Sequence, residues 1–389
     1  MRVVLIASAV MALTVFVPGA ATAQDSEIEE LRAAVDALRA DYEARIAELE
    51  QRLAVAEQNA AQSVNPAPVA AEGASTAPVA AQGPQRSADA AFNPAIGVVF
   101  QGFLNGVEGP AGEEEGFAVG ETELIMSANV DDKFTAYLTA ALAFEDGESE
   151  LELEEAWVET TALPAGFSAR FGRMFSGIGY LNERHMHTWD FADQALPYEV
   201  FLDGRYVDNG VQVRWLAPTD LYVELGGEIM QGEGDPSGLG GYTAFGNVGG
   251  DVGTSHSWLA GLSHLEQDSG QRLDIAHFVW KWAPDGNWRQ KNFIFQAEYL
   301  ENRDIVTDSG WYAQAIYQPI PRWRFGARVD SVDLELDDPR RYSVMLDWSN
   351  SEFSRLRLQA SHSDGDSGDG NAWTLQYIHS IGAHGAHTF

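Results

Sequence analysis

Three groups of side chains in this sequence are spaced for joint chemistry. Glu150, Glu152 and Glu154 recur at every second residue, between Leu151 and Leu153. On a strand that spacing puts the three carboxylates on one face and the leucines on the other. A polar wall explains such a row better than the paired carboxylates of acid–base catalysis. His185 and His187 stand two apart with Asp190 following, and His379, His384 and His387 gather near the end. A His-x-His pair shares a face on a strand or turn and not on a helix. Neither set has the spacing of a zinc signature, so no metal or cofactor is expected; His185, His187 and Asp190 are the nearest approach to one. The chain has no Cys, which removes thiol nucleophiles, disulfides and thiolate metal sites. Without a Gly-x-Ser-x-Gly elbow or a patterned Ser, His and acid set, the expectation is that it is not an enzyme. The third group is Arg170, Arg214, Arg324, Arg328 and Arg357, each flanked by apolar or small residues.

Those spacings require strands. From Phe92 onward the sequence breaks into about fifteen short runs that alternate apolar and polar residues. An odd number cannot close a barrel with both ends on one side. The turns supply the missing strand. Tight connections at 130–132, 162–166 and 217–220 fall on one side when counted from the front, and those at 283–290, 319–321 and 350–353 fall on the same side when counted from Phe389. The two counts agree only if one more strand lies between Met230 and Ser255, and 241–249 is the candidate. The fold expected is therefore an all-β transmembrane barrel of about sixteen antiparallel strands over residues 92–389. Trp157, Trp215, Trp282, Tyr317, Trp323 and Trp348 lie beside those tight connections and predict one aromatic girdle at a membrane interface.

With the girdle residues facing lipid, the intervening residues face the lumen. The inward set then holds Arg170, Arg214, Arg324, Arg328 and Arg357 on some strands, and Glu150, Glu152, Glu154, Glu224, Glu228 and Glu298 on others. Such a lumen is polar and wet, and its opposed charges either set up a field across the pore or pair off, as Glu152 and Arg170 would. The connection 176–209 is the longest and the third on its side. Long connections in compact folds are usually functional. It is expected to hold a short helix before Pro197 and to bring Glu183, Arg184, His185, His187, Asp190 and Asp193 to a constriction.

The N-terminal quarter reads differently. Arg2, an apolar run from Val3 to Val17 and Ala21-Thr22-Ala23 have the pattern of a secretory signal peptide over 1–23. Residues 25–58 carry apolar positions in a heptad rhythm with one stutter, which predicts an α-helical coiled coil in the periplasm. Ala and Pro dominate 60–91, the composition of an extended linker. The formal charge of −34 excludes nucleic acid as a partner, because phosphates need a basic footprint.

A terminal Phe389 on an alternating strand resembles the end of bacterial outer-membrane barrels. Signal peptide, coiled coil, linker and barrel together resemble the phosphate-selective porin family by layout. That resemblance implies a trimeric channel in the outer membrane of a Gram-negative bacterium, with lipid, sister subunits and small solutes or ions as partners. The function expected is passive diffusion of small polar or ionic solutes. The alternatives are an outer-membrane receptor or zinc-uptake protein binding ligand at its external loops, and an envelope tether in which the barrel anchors the coil.

Overall fold

The computed structural model describes residues 94–108, 115–145, 148–232, 239–303, 307–335, 338–365 and 368–382. The expectations for 1–23, 25–58 and 60–91, and for His384, His387 and Phe389, fall outside them. In chain order the strands are β1 (Ala95–Glu108), β2 (Gly116–Val119 with Thr122–Asn129), β3 (Phe134–Glu145), β4 (Glu148–Thr160), β5 (Phe167–Phe175), β6 (Val207–Leu216), β7 (Tyr222–Met230) and β8 (Gly241–Val252). They continue as β9 (His256–Gln267), β10 (Arg272–Trp282), β11 (Asn292–Arg303), β12 (Thr307–Ile320), β13 (Trp323–Asp333), β14 (Arg340–Ser351), β15 (Ser354–Asp364) and β16 (Gly370–Gly382). Counting the two collinear pieces of β2 as one strand, sixteen antiparallel strands follow one another around the sheet. The strand inferred from turn parity between Met230 and Ser255 is β8.

The sheet closes on itself. β1 pairs antiparallel with β16 from Gly97↔Gly382 to Glu108↔Asn371, which leaves neither strand as an edge. Leu375 and Tyr377 thus lie opposite Leu104 and Gly102 in the closing seam.

Apolar residues are divided between the two faces in an order reversed from that of a soluble protein. Along β13, Trp323, Phe325 and Ala327 are exposed on the outside while Arg328 and Asp330 are buried inside. Phe167, Phe171, Val213, Leu225, Phe278 and Leu358 continue the exposed apolar surface around the barrel. No aqueous protein leaves so continuous an apolar face uncovered, whereas lipid requires one. Among the described residues no helix is long and apolar enough to cross a membrane, so any crossing is by strands. Trp323 and Trp348 pair across β13 and β14 with ring centroids 6.3 Å apart, and Trp215 packs beside Phe167 on the outer face.

Trp157 departs from the predicted girdle. It points inward, stacks on Tyr137 at 5.1 Å and lies beneath the Arg170 guanidinium at 4.0 Å. The cause is a β-bulge. Thr139 pairs with Glu155 but Ala140 pairs with Leu153, so Glu154 is an extra residue that reverses the alternation along β4. The same bulge adds Glu155 to the face that carries the expected row of acids. Glu154 and Glu155 are both buried, whereas Glu150 and Glu152 are exposed. A second bulge interrupts β2. Gly102 pairs with Val119 and Val99 with Glu123, so three residues of β2 oppose two of β1 and Glu121 is turned to the side that Glu123 occupies.

Candidate functional site in the barrel lumen

The connection 176–206 leaves the end of β5 and folds into the barrel. It contains a turn of 3₁₀ helix, Met186–Thr188, and one α-helix, α1 (Leu196–Leu202). The helix begins at Leu196 with Pro197 in its first turn and does not precede that proline, whose fixed φ suits the first helical turn and whose missing N–H is no loss there. Asp203 ends α1 in the left-handed conformation. At the neck of the loop, Asn182 Nδ2 donates to the carbonyls of Ser176 and Tyr206 at 2.7 and 2.9 Å, and Asn182 Oδ1 accepts from Tyr206 N at 2.7 Å. One side chain thereby cross-ties both ends of the excursion.

Lumen-facing side chains hold the loop on all sides. Glu298 of β11 accepts from the amides of Tyr180 and Leu181 at 2.8 and 3.1 Å and from Tyr198 Oη at 2.9 Å. Glu228 of β7 accepts from Gly177 N at 2.8 Å and from Gln212 at 2.6 Å. These carboxylates satisfy loop amides that have no ladder partner, which is what a chain needs to lie buried outside a sheet. Gly179 makes the first turn with φ of +65°, where a Cβ would come within 2.1 Å of Tyr198 Oη. Only glycine fits.

Apolar packing reinforces these bonds. Ile178, Leu181, Tyr198, Phe201 and Leu202 of the loop pack on Leu265, Leu273, Ile275 and Leu300 of β9–β11. Part of the interior is therefore apolar and not polar throughout as expected. Leu273 and Ile275 are buried inside while Phe278 is exposed outside, so β10 is apolar on both faces.

Opposed charges line the rest. On β13–β15, Arg328 bonds Asp330 at 2.8 Å and Asp193 at 2.9 Å, and Arg341 bonds the second oxygen of Asp193 at 2.8 Å and Glu199 at 2.6 Å. Arg324 meets Asp190 and also faces Asp347 at 3.4 Å. Arg357 donates to Asp347 at 2.8 Å, to Gln376 at 2.9 Å and to the Trp189 carbonyl at 2.7 Å. Burial works to raise the Asp193 carboxyl, but the Arg328 and Arg341 guanidiniums outweigh it and hold the group below its usual range. For Glu199 burial wins, and its carboxyl is pushed up despite Arg341.

The loop meets acids at β2 and β4. His185 Nε2 donates to Glu155 at 2.9 Å, its Nδ1 faces Glu123 and Glu154 at 3.5 Å each, and His187 Nδ1 donates to Glu123 at 2.9 Å. Arg205 bonds Glu154 at 3.2 Å and faces Glu121 at 3.9 Å. Burial disfavours the His185 imidazolium, yet Glu154 and Glu155 reverse that and raise it to about 10.

Of the residues expected at a constriction, Asp190 and Asp193 are held by arginines, and His185 and His187 by acids. Glu183 meets Arg214 and lies 3.7 Å from Arg170, whose main partner is Glu159 at 2.8 Å. Arg184 lies over the Tyr180 ring at 4.4 Å. The expected pairing of Arg170 with Glu152 is absent, since Glu152 instead faces Arg173 at 3.9 Å. Asp190 is with Arg324 and not with the histidines, so His185, His187 and Asp190 do not form one metal set. Sequence reasoning missed Glu123, Glu155, Arg205, Arg341 and Asp347. Glu121 and Glu123 do show the two-residue spacing that marks a strand face, which was a usable signal.

No family model matches this chain. A protein of Aquifex aeolicus (strain VF5), described only as uncharacterized, is 31% identical over 362 residues, covering 76% of this chain and 74% of its own. Among solved structures, OprB of Pseudomonas putida at high pH superposes with a TM-score of 0.57 at 10% identity over 75% of this chain and 95% of its own. A loop L8 deletion mutant of OmpT, an outer-membrane protein of Vibrio cholerae, gives 0.55 at 11% identity over 74% and 99%. The anion-selective porin from Comamonas acidovorans gives 0.52 at 10% identity over 74% and 99%. At such identities the likeness is one of fold, a closed barrel of the outer-membrane porin kind. The chain itself belongs to the same family as the Aquifex aeolicus protein.

Proposed function

We propose that this protein is an outer-membrane channel of porin type, through which small polar or ionic solutes diffuse past the inward loop. One observation carries the reading. A closed barrel with an apolar exterior has its single long described connection folded across the lumen, fastened to acids on one flank and arginines on another. A wall of sixteen strands is wide enough for an aqueous path, and a loop within it sets the width and charge of that path. Arg170, Arg214 and Arg324, which stay partly exposed, act on anionic parts of a solute and Glu224 on cationic parts, while Arg328, Arg357, Glu154 and Glu298 are buried and hold the loop. Pairing within the lumen leaves the field local, so the chain screens solutes by dipole and size more than by net charge.

The barrel sits in the outer membrane with residues 25–58 in the periplasm, and the assembly is a homotrimer. OmpT of Vibrio cholerae has been solved in a trimer form, and the fold likeness supports the same arrangement here. Planar-bilayer recording with a salt gradient tests the function. Discrete conductance steps support a channel, and a folded, inserted barrel that carries no current rejects it. Chemical cross-linking in detergent tests the trimer.

A further inference from the structure

The acid cluster under the loop holds an arrangement that ion pairing alone leaves incomplete. Glu123 Oε2, Glu154 Oε2 and His185 Nδ1 are buried without a hydrogen-bond partner, Nδ1 lies 3.5 Å from each of the two oxygens, and one ligand atom from each of the three residues lies within 4.8 Å of the others. The parent residues are 0%, 5% and 9% exposed, so water does not reach them freely. Each residue's other polar atom is already engaged. His185 Nε2 bonds Glu155 at 2.9 Å, Glu123 Oε1 accepts from His187 at 2.9 Å, and Glu154 Oε1 accepts from Arg205 at 3.2 Å. Three buried ligand atoms therefore face one point, with three outer partners fixing their orientation.

We propose that Glu123, Glu154 and His185 bind a divalent transition-metal ion of the zinc type, which fastens the inward loop to β2 and β4. The spacing fits. His185 Nδ1 lies 3.5 Å from each carboxylate oxygen, and ligands about 2.1 Å from a tetrahedral metal are separated by about 3.4 Å. The donor set fits as well. One imidazole and two carboxylates suit zinc or manganese, whereas calcium and magnesium take oxygen ligands alone. The bond from His185 Nε2 to Glu155 is the carboxylate–histidine–metal relay that orients the ring, and the ion takes the place of the proton on Nδ1, which leaves on binding. Charge points the same way. Glu123, Glu154 and Glu155 are buried together, and Arg205 is the permanent cation bonded within the group. Buried carboxylates in such excess call for a cation. Both β-bulges belong to this site, since one turns Glu154 and Glu155 inward together and the other buries Glu123 on a strand whose Phe117 and Val119, an even number of residues before it, are exposed.

Metal binding is measured independently of any channel activity. Tag-free, refolded full-length protein is dialysed against micromolar Zn(II), Mn(II) or Ca(II), and bound metal is measured by elemental analysis. Heat-modifiable gel mobility reports whether each barrel is folded. The expected result is about one zinc per chain, with affinity lowered on the order of 100-fold by His185→Ala or Glu154→Gln. Glu155→Gln lowers it by about 10- to 100-fold through the ring's orientation, and its conserved shape keeps the test open should His185→Ala fail to assemble. Glu152→Gln, exposed on the same strand, leaves it unchanged. A folded parent that binds no stoichiometric zinc overturns the proposal. So does zinc retained at parental affinity in both His185→Ala and Glu155→Gln, or calcium bound more tightly than zinc with no dependence on His185.

Discussion

The carboxylate of Asp193, at the centre of the inward loop, lies 2.9 Å from Nη2 of Arg328 on β13, and its second oxygen meets Arg341 on the neighbouring strand at 2.8 Å. Removing the acid leaves two buried guanidiniums short of a partner, which costs about 3–5 kcal/mol for a buried pair. Asp193→Ala should free this flank of the loop without unfolding the barrel, whose ladder it does not join. Limited proteolysis should then cut within 176–206, and single-channel conductance should rise; unchanged protection would contradict the role.

Acid should do what that substitution does. The Asp193 carboxyl is depressed in the folded protein, so its contribution is complete above its unfolded value near about 4 and is lost as pH falls through the lower folded value. Conductance attributable to this contact should be flat from about pH 5 to 8 and should change only below about pH 4. Asp193→Asn, with the contact already broken, should lack its share of that acid transition. An identical transition in parent and variant would assign it to other carboxylates.

Glu298 holds the opposite flank through the amides of Tyr180 and Leu181. Glu298→Gln keeps the shape but loses the charge that two amides and the Tyr198 hydroxyl share, a loss of about 1–3 kcal/mol. Amide hydrogen exchange should accelerate about 5- to 100-fold at Tyr180 and Leu181, since each 1.4 kcal/mol is about tenfold, while amides of β11 stay protected.

Gly179→Ala tests the entry to the loop. A Cβ there would collide with Tyr198 Oη, and the positive φ adds strain of about 1–3 kcal/mol. The expected outcome is a lower melting temperature for the loop by exchange, with the barrel's gel mobility unchanged.

Several of these residues were legible in the sequence and several were not, for reasons that differ residue by residue. Arg328 and Asp330 follow from alternation with Trp323, Phe325 and Ala327, because a period of two holds along an unbroken strand. β8 follows from turn parity, a constraint on the whole barrel that a weakly patterned glycine-rich run cannot supply by itself. Trp157 was misplaced and Glu155 missed because one inserted residue reverses every face beyond it, and a bulge inside Glu-Leu-Glu-Leu-Glu-Glu leaves no mark. The partners of Asp193 lie 135 and 148 residues away, and no local pattern links them.

The reversal at Trp157 can be checked directly. In vesicles whose lipid chains carry bromine, Trp348→Phe should reduce the lipid-quenched part of the fluorescence, since Trp348 is on the outer face. Trp157→Phe should leave that part unchanged.

The central claim is that the loop crosses a conducting lumen, and the most direct measurement is single-channel conductance of the parent beside a variant in which 178–204 is replaced by a short Gly-Ser link. Small discrete steps in the parent and steps several-fold larger in the shortened barrel are the predicted result. A parent and a variant that are both folded, inserted and silent would contradict the account.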